Sequence, residues 1–268
     1  MSDTAEDPDP PVTPAEAAAL AKKPRPANET FELIKTVAYA LLIALVLRVI
    51  LFQPFTIPSA SMVPTLLEGD YIIVSKYSYG WSRHSIPLSP PFFHGRIFSH
   101  EPQRGDVVVF KLPRDTSVDY VKRLIGLPGD KIQVSSGQVS INGAPVPRSE
   151  LPPEVVENAF GTPRKLQPYK NTLGPHTFTT YSLDPGGEIE NTGVYTVPAG
   201  KYFMMGDNRD NSIDSRYPSE IGVGFVPAEN LVGRAEIILF SWREGASLFK
   251  PWTWLLDART DRFGRHIE

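Results

Sequence analysis

The feature that most constrains this chain is an apolar stretch near its N-terminus, residues 33–52, with the sequence LIKTVAYALLIALVLRVILF. As an α-helix at 1.5 Å per residue, it would span about 30 Å, the thickness of a bilayer's hydrocarbon core. The alternative interpretation is a helix buried in a soluble core, which keeps a polar face. Here the apolar residues surround the whole helix. Lys35 and Arg48 lie near its ends, where their side chains can reach the interface. The stretch therefore predicts one transmembrane helix.

The residues on either side of this helix predict its orientation. Gln53-Pro54-Phe55 is not a small-residue cleavage site, so we expect an uncleaved anchor, residues 31–55, and not a secretory signal. Basic residues concentrate before the helix, and after Arg48 the next one is Lys76. By the positive-inside rule, residues 1–30, an acidic Pro- and Ala-rich tail expected to be disordered, lie in the cytoplasm. Residues 56–268 are then expected outside it.

From about residue 53 onward the pattern is typical of β-structure. The 27 prolines and 20 glycines indicate many turns, among them Pro128-Gly129 and Asn142-Gly143. Short apolar or alternating runs predict strands at 71–74, 107–110, 117–125, 132–134, 139–141, 201–205 and 232–240. We expect a mostly β fold, an antiparallel sheet or barrel-like catalytic domain. Residues 77–103 and 145–195, both rich in Pro and Gly, are expected to be insertions of irregular structure.

Composition argues against several classes of function. The chain has no cysteine, so it has no disulfide and no thiolate nucleophile or metal ligand. It has no H-E-x-x-H motif and no phosphate-binding loop, and we expect no cofactor or metal. The five histidines are scattered, which argues against a Ser-His-Asp triad. The net charge of −3 comes from the first thirty residues, so we expect no nucleic-acid surface.

Two segments can carry chemistry. The first, residues 57–66 (IPSASMVPTL), places Ser59 and Ser61 on either side of one small residue, directly after the membrane span. A Ser- and Pro-rich linker is the alternative interpretation of this segment. In the second, residues 118–124 (VDYVKRL), a strand's period of two places Lys122 on the same face as Tyr120 and Leu124.

Burial among apolar neighbours would change the chemistry of Lys122. An ordinary lysine is only about 0.1% neutral at pH 7.5, whereas lowering its pKa by roughly 3 would make it mostly a free amine, at a cost of about 4 kcal/mol. A neutral lysine amine can take the proton from a serine hydroxyl. The pattern alone leaves open the alternative that Lys122 reaches solvent from an edge strand.

Together with three further segments, these residues resemble the bacterial type I signal peptidases (leader peptidases). The resemblance covers about 50 residues, in the family's order after the anchor: 57–66, 69–74, 104–110, 120–132 (YVKRLIGLPGDKI) and 206–216 (GDNRDNSIDSR). It implies a membrane-bound serine endopeptidase that removes N-terminal signal peptides from exported preproteins after small residues, at A-x-A sites, through an acyl-enzyme. It also implies a single-pass protein of the inner membrane with its catalytic domain on the periplasmic side.

The resemblance implies a role for each matching residue. Ser61 would be the nucleophile and Lys122 the general base, and the Ser59 hydroxyl and the Ser61 N–H would form the oxyanion hole. Ser212 would hydrogen-bond the Lys122 amine and orient it. A charged support would lie behind that serine, formed by Asp214, Arg216 and Arg123, with Asp207 nearby. Without the resemblance, residues 206–216 would be interpreted as a polar loop or a metal-binding loop, although they lack the Gly and Glu of a calcium loop.

The chain departs from the family's pattern in a few places. Ala60 replaces the usual glycine between the two serines, and Pro218-Ser219 replaces the usual Trp-Gly after the last segment. Some relatives have two membrane spans, whereas one is expected here. Shallow apolar pockets near the nucleophile are expected to select small substrate residues, with contributions from Ile57, Met62, Leu66 and Ile125.

The C-terminal region has its own signal, aromatic and apolar residues beside bases. This composition suits a membrane interface, and packing in the core is the alternative. The residues are Trp242, Arg243, Phe249, Lys250, Trp252, Trp254 and Leu255. We expect two kinds of partner, preprotein substrates and the lipid bilayer.

Two other functions compete with this interpretation. A Ser-Lys protease with another substrate, such as a pilus-processing enzyme or a self-cleaving repressor, is the first, but a repressor would lack the anchor and carry a DNA-binding segment. A membrane-tethered β adaptor without activity is the second. It predicts that replacing Ser61 or Lys122 leaves function intact.

Overall fold

The computed structural model describes residues 29–86, 89–91, 94–157, 163–182, 188–243 and 253–268. The chain divides into two compact units, Met1–Leu45 and Val46–Glu268. The tail predicted to be disordered lies, apart from its last two residues, outside the described part.

The first unit contains most of helix α1, Glu29–Ile50. Residues 30–48 of this helix have a mean hydropathy of 1.9 and are not buried, so by length and composition the helix can cross a membrane. The helix ends at Ile50, five residues before the predicted end of the anchor at residue 55, and strand β1, Phe52–Thr56, follows at once. Pro54 has no N–H for a helix, but it is tolerated in an edge strand such as β1.

The second unit is built from antiparallel strands, which confirms the predicted mostly β fold. After β1 come β2 Asp70–Ser75, β3 Trp81–Ser82, β4 Arg96–Ile97, β5 Val107–Leu112, β6 Asp115–Gly126, β7 Lys131–Ser135, β8 Gln138–Ile141, β9 Ala144–Pro145, β10 Arg148–Glu150, β11 Glu154–Glu157, β12 Pro163–Leu173, β13 His176–Ser182, β14 Tyr195–Thr196, β15 Lys201–Met205, β16 Val226–Pro227, β17 Leu231–Ser241 and β18 Arg265–His266. A short helix, α2, spans Thr253–Leu256.

The main sheet has the strand order β1-β2-β17-β5-β6-β15-β16, and β18 also pairs with β17. A second sheet has the order β14-β7-β8-β9, and a third places β12 between β10 and β11, with β13 also on β12. Strands β3 and β4 form a separate pair. The seven strands predicted from the sequence all form, each extended by one to three residues or unchanged.

Both faces of the main sheet are covered, as strand β5 illustrates. Val107 and Val109 belong to one buried cluster, whereas Val108 and Phe110 belong to another. A strand with both faces buried has a continuous apolar sequence. This explains why residues 107–110 read as an unbroken run of apolar residues.

The prediction of irregular structure in residues 145–195 is wrong, because this segment contains β10 to β14. Strand β12 pairs with β13 over seven residues. Prolines at positions 152, 153, 163 and 168 interrupt the alternating pattern by which a strand is recognised. Residues 77–103 are likewise not wholly irregular, since they contain the β3–β4 pair.

Candidate active site

The segment with the two serines forms a tight turn after β1. Residues Ala60–Met62 adopt one turn of 3-10 helix, and Ser61 is 8% exposed. Met62 packs with Ile57 and Leu66 in a buried cluster beneath the turn. The apolar neighbours of Ser61 in the sequence therefore anchor this turn, which we call the nucleophile turn, to the core.

Strand β6 brings Lys122 to Ser61. Lys122 is 3% exposed, and its Nζ lies 2.6 Å from Ser61 Oγ and 3.0 Å from the Val121 carbonyl. The Tyr120 ring lies 5.2 Å from the same nitrogen, as expected for residues on one face of a strand. Because the Lys122 side chain is buried, the alternative of a lysine that reaches solvent is wrong.

Burial determines the protonation of this lysine. Desolvation lowers the pKa of Lys122 from 10.5 to about 8, although the Asp214 and Asp207 carboxylates act in the opposite direction. The charge on Arg216 lowers it further. At a pKa of about 8, roughly a quarter of the side chain is neutral at pH 7.5, compared with about 0.1% for an ordinary lysine.

Ser59 lies at the exposed start of the same turn. Its Oγ is 3.5 Å from Ser61 Oγ, so both hydroxyls face the same space. A group placed there can contact both oxygen atoms.

The loop 206–216 packs against the nucleophile turn, and a glycine makes this possible. A Cβ at Gly206 would lie 2.2 Å from Ser212 Oγ and 2.5 Å from the Ser61 carbonyl oxygen. No other residue fits there without moving the backbone, so Gly206 allows Ser212 and Ser61 to lie against the same Cα.

The expected hydrogen bond between Ser212 and Lys122 does not form. Ser212 is buried, and its Oγ has no hydrogen-bond partner among the residues that the structure describes. The Lys122 nitrogen instead contacts Ser61 Oγ and the Val121 carbonyl. Ser212 thus lies beside the nucleophile turn, and its hydroxyl makes no hydrogen bond to the described residues.

The charged residues expected to form one support behind Ser212 form two separate ion pairs. Arg216 binds Asp214 through Nε and Nη2, both at 2.9 Å, and the Gly206 N–H donates to the same carboxylate at 2.9 Å. Burial alone would raise the pKa of Asp214, but the charge of Arg216 and these hydrogen bonds hold it below its ordinary value. Asp214 therefore stays ionised although it is buried.

The second pair joins Arg123, the residue after Lys122, to Asp207. Arg123 Nε and Nη2 donate to the two carboxylate oxygens at 2.8 and 2.7 Å, and Nη1 donates to the Gly105 carbonyl at 2.6 Å. The Phe178 ring of the β13 insertion covers this guanidinium at 3.8 Å. Two of the loop's three carboxylates, Asp207 and Asp214, are thus neutralised by guanidinium groups, and the described residues contain no cluster of three side chains that could hold a metal ion.

Sequence reasoning missed three residues of this site. Thr65 donates to Asp207 at 2.5 Å, and Asn208 donates to the carbonyls of both Ala60 and Ser61. Arg209 is buried beside the two ion pairs, and desolvation lowers its pKa to about 10. Thr65, Asn208 and Arg209 lie inside the motif segments, but spacing alone gives no signal for which of their atoms make contacts.

The residues expected to line a substrate pocket are core residues. Ile57, Met62 and Leu66 form the floor beneath the nucleophile turn, each at most 3% exposed, and Ile125 belongs to a different buried cluster. An open cleft of about 1390 Å³ instead begins at Ala60. Its walls come from the nucleophile turn, β12, β13, the loop 206–216 and residues 262–268.

The C-terminal aromatic residues are partly described. Trp242 packs against Tyr71, Phe240 and Phe263, with ring centroids 5.3 to 6.2 Å apart. Trp254 is 43% exposed. Phe249, Lys250, Trp252 and the side chain of Leu255 lie outside the described part, so contact of this cluster with a bilayer stays a prediction.

Comparison with known proteins gives consistent matches. The family model described as signal peptidase, peptidase S26, matches residues 30–242. The signal peptidase I of Rickettsia typhi is 45% identical over 212 residues, 76% of this chain and 77% of the relative. That of Rickettsia canadensis is 41% identical over 251 residues, 87% of this chain and 92% of the relative. A crystal structure of a signal peptidase I from Enterococcus faecalis V583 is 28% identical, covers 50% of this chain and 97% of that chain, and has a TM-score of 0.30.

The extent of these matches establishes the family. The family model spans most of the chain, and the two relatives cover at least three quarters of it. Helix α1 and these relatives are consistent with a membrane-anchored protein. The chain belongs to the signal peptidase I family, the serine endopeptidases of peptidase family S26, which cleave signal peptides.

Proposed function

We propose that the chain cleaves signal peptides with Ser61 as the nucleophile and Lys122 as the general base. The observation that carries the proposal is the distance of 2.6 Å between Lys122 Nζ and Ser61 Oγ, in a site where the lysine is 3% exposed. This distance allows direct proton transfer, and the burial supplies the neutral amine that the transfer needs.

The reaction proceeds in two stages. The neutral Lys122 amine accepts the proton of the Ser61 hydroxyl as its oxygen attacks the scissile carbonyl, and a tetrahedral intermediate forms. Lys122 then gives the proton to the leaving amine, the C–N bond breaks, and the mature protein departs with the new N-terminus. The signal peptide stays as an ester on Ser61. A water molecule, deprotonated by Lys122, hydrolyses that ester in the second stage.

The oxyanion of each tetrahedral intermediate is stabilised by the Ser59 hydroxyl and the Ser61 N–H. The closeness of Ser59 Oγ to Ser61 Oγ, 3.5 Å, supports this role. One such donor is worth about 3 kcal/mol of transition-state stabilisation. The two ion pairs fix the loop that packs against Ser61, and Ser212 is placed to orient the Lys122 amine once its hydroxyl turns toward that nitrogen.

The substrate is an exported preprotein, bound as an extended segment and cut after small residues in the A-x-A pattern. Two strand edges that have no neighbour in the described part of the chain support extended binding. Strand β1 is the edge of the main sheet, and β6 pairs with β15 only from Arg123 onward, so no described strand pairs with that edge before Lys122. A peptide can add to such an edge through its own backbone hydrogen bonds.

The preprotein reaches the site from the membrane. The distribution of basic residues around α1 supports an N-terminus in the cytoplasm and residues 56–268 on the periplasmic side of the inner membrane. The exposed aromatic residues near Trp242 and Trp254 support contact with the bilayer, where the cleavage sites of tethered preproteins emerge.

Two substitutions test this proposal directly. The full-length chain in detergent micelles, with a preprotein substrate, is expected to lose activity by at least 10³-fold in Ser61→Ala and in Lys122→Ala, with unchanged circular dichroism. The matched control is Lys111→Ala, because Lys111 lies on the neighbouring strand β5 and pairs with Asp119 away from Ser61. Retained cleavage in either variant would refute the Ser-Lys mechanism and favour an adaptor or another catalytic group.

A further inference from the structure

We propose that Asn208 is a positioning residue that aims and polarises the backbone N–H of Ser61 toward the developing oxyanion. The inference rests on the proposed function, in which that N–H is part of the oxyanion hole. It is argued from the hydrogen bonds around the peptide group that joins Ala60 to Ser61.

Asn208 contacts two consecutive carbonyls of the nucleophile turn. Its side-chain Nδ2 donates to the Ala60 carbonyl at 3.1 Å, and its backbone N–H donates to the Ser61 carbonyl at 3.2 Å. The Val63 N–H also donates to the Ala60 carbonyl, at 3.1 Å. Both acceptor positions of the Ala60 oxygen are therefore occupied.

The Ala60 carbonyl and the Ser61 N–H belong to the same planar peptide group. The Ala60-Ser61 peptide is trans, because the cis peptide in this segment is Val63-Pro64. In a trans peptide the N–H points away from the C=O. A bond that fixes the direction of the Ala60 carbonyl therefore fixes the direction of the Ser61 N–H. Donors on the carbonyl oxygen also polarise the peptide group, which makes its N–H a stronger donor.

The orientation of the Asn208 amide follows from this contact. With the amide reversed, two acceptor oxygens would face each other at the position of the 3.1 Å bond, so the NH₂ group must point to Ala60. The remaining Oδ1 is buried and has no hydrogen-bond partner among the described residues. An unsatisfied acceptor is unfavourable for folding, so the benefit of an amide here lies in its donor.

The neighbours of Asn208 hold it rigidly. Asp207, the preceding residue, accepts two hydrogen bonds from Arg123 and one from Thr65. The Tyr181 N–H of strand β13 donates to the Asp207 carbonyl at 2.9 Å. The donor is thus fixed before substrate binds, as transition-state stabilisation by hydrogen bonds requires.

The test replaces the donor and keeps the size of the side chain. In the full-length chain, Asn208→Leu is expected to lower kcat by 10- to 100-fold and to change KM by less than about threefold. The acid limb of the pH profile is expected to stay at the wild-type position, because Asn208 does not contact Lys122. The control is Asn191→Leu, since Asn191 is an exposed residue that does not line the cleft and is expected to keep wild-type kcat.

A second measurement separates positioning from a general structural role. A peptide boronate, which forms a tetrahedral adduct with a serine oxygen, is expected to bind Asn208→Leu more weakly by about the factor by which kcat falls. The unreactive product peptide is expected to bind equally well to both forms. Equal weakening of the two ligands, or a kcat equal to that of Asn191→Leu, would overturn the inference. Asn208→Ala carries the same test if Asn208→Leu does not fold.

The outcome for Asn208 is distinct from that for the proposed mechanism. If Ser61→Ala or Lys122→Ala is active, both the mechanism and the inference about Asn208 are wrong. If those two variants are inactive and Asn208→Leu is fully active, only the inference is wrong.

Discussion

Arg123 and Asp207 form a bidentate ion pair in which neither side chain is more than 1% exposed. Arg123 directly follows Lys122 on β6, so consecutive residues of one strand place an amine beside Ser61 and a guanidinium beside Asp207 of the loop 206–216. The geometry of the loop and the position of the amine are therefore set by the same strand.

Removing the Asp207 charge is expected to change both stability and the pH profile. Asp207→Asn leaves Arg123 buried without its counter-ion, which costs about 3–5 kcal/mol of unfolding free energy. The Asp207 charge raises the pKa of Lys122, so its loss lowers that pKa and moves the acid limb of kcat/KM to lower pH. Urea unfolding and rate measurements check these effects, with Asp119→Asn, a partly exposed residue of β6, as the control. An acid limb that moved to higher pH would contradict the assigned electrostatics.

The wild-type pH profile reports the state of Lys122. In the proposed mechanism Lys122 acts as the neutral amine, and its pKa is about 8, so kcat/KM is expected to rise tenfold per pH unit below pH 8 and to level off above it. Cleavage of a preprotein measured from pH 6 to pH 10 checks this. A limb near pH 10.5 would mean that the lysine is solvated in the working enzyme.

The same burial is expected to make the active enzyme less stable than an inactive variant. The folded-state pKa of Lys122 is below its unfolded value, so the unfolded chain binds more protons between pH 8 and 10.5. The resulting destabilisation, about 3 kcal/mol, is fully present below pH 8 and disappears as pH rises to 10.5. Lys122→Met is therefore expected to unfold at higher urea than wild type at pH 7, with a smaller difference at pH 10. A constant difference would show that packing, not charge, is responsible.

Gly206 is expected to accept no larger residue. In Gly206→Ala the new Cβ meets the Ser61 carbonyl oxygen and Ser212 Oγ well inside van der Waals contact, so the loop must move away from the nucleophile turn. We expect kcat/KM to fall by more than about 10²-fold, because small displacements of catalytic groups have effects of this size. Gly193→Ala is the control, since a Cβ there has nothing within 4 Å. Full activity in Gly206→Ala would mean that the loop is not held as described.

Replacing Ser212 is expected to affect activity and stability differently. Its buried hydroxyl has no hydrogen-bond partner among the described residues, so we expect the unfolding free energy of Ser212→Ala to be unchanged or to rise by about 1 kcal/mol. If the hydroxyl turns toward Lys122 during the reaction, as proposed, kcat falls by about 10- to 100-fold in the same variant. Unchanged kcat together with unchanged stability would show that the hydroxyl has no role in orienting the base.

The sequence predicts the parts of this molecule that depend on short-range pattern. The apolar helix, the alternating strands and turns such as Asn142-Gly143, where both residues have positive φ, follow from local steric and hydrophobic rules. The β12–β13 insertion could not be predicted, because its prolines obscure the alternation by which a strand is recognised. For the site, the pattern placed Lys122 on one face of a strand with Tyr120 and Leu124, but it left open whether the lysine is buried. That Arg123 pairs with Asp207 and not with Asp214 depends on three-dimensional packing that spacing does not encode.

The strand order of the main sheet has a consequence for when this protein can act. Strands β1 and β2 carry Ser61 between them, and β5 and β6 carry Lys122, but β17 lies between the two pairs. Residues 231–241 must therefore be inserted before the nucleophile and the base are held in one sheet. A chain that ends before β17 therefore contains both Ser61 and Lys122 but lacks the strand that joins their two halves of the sheet, so we expect it to be inactive.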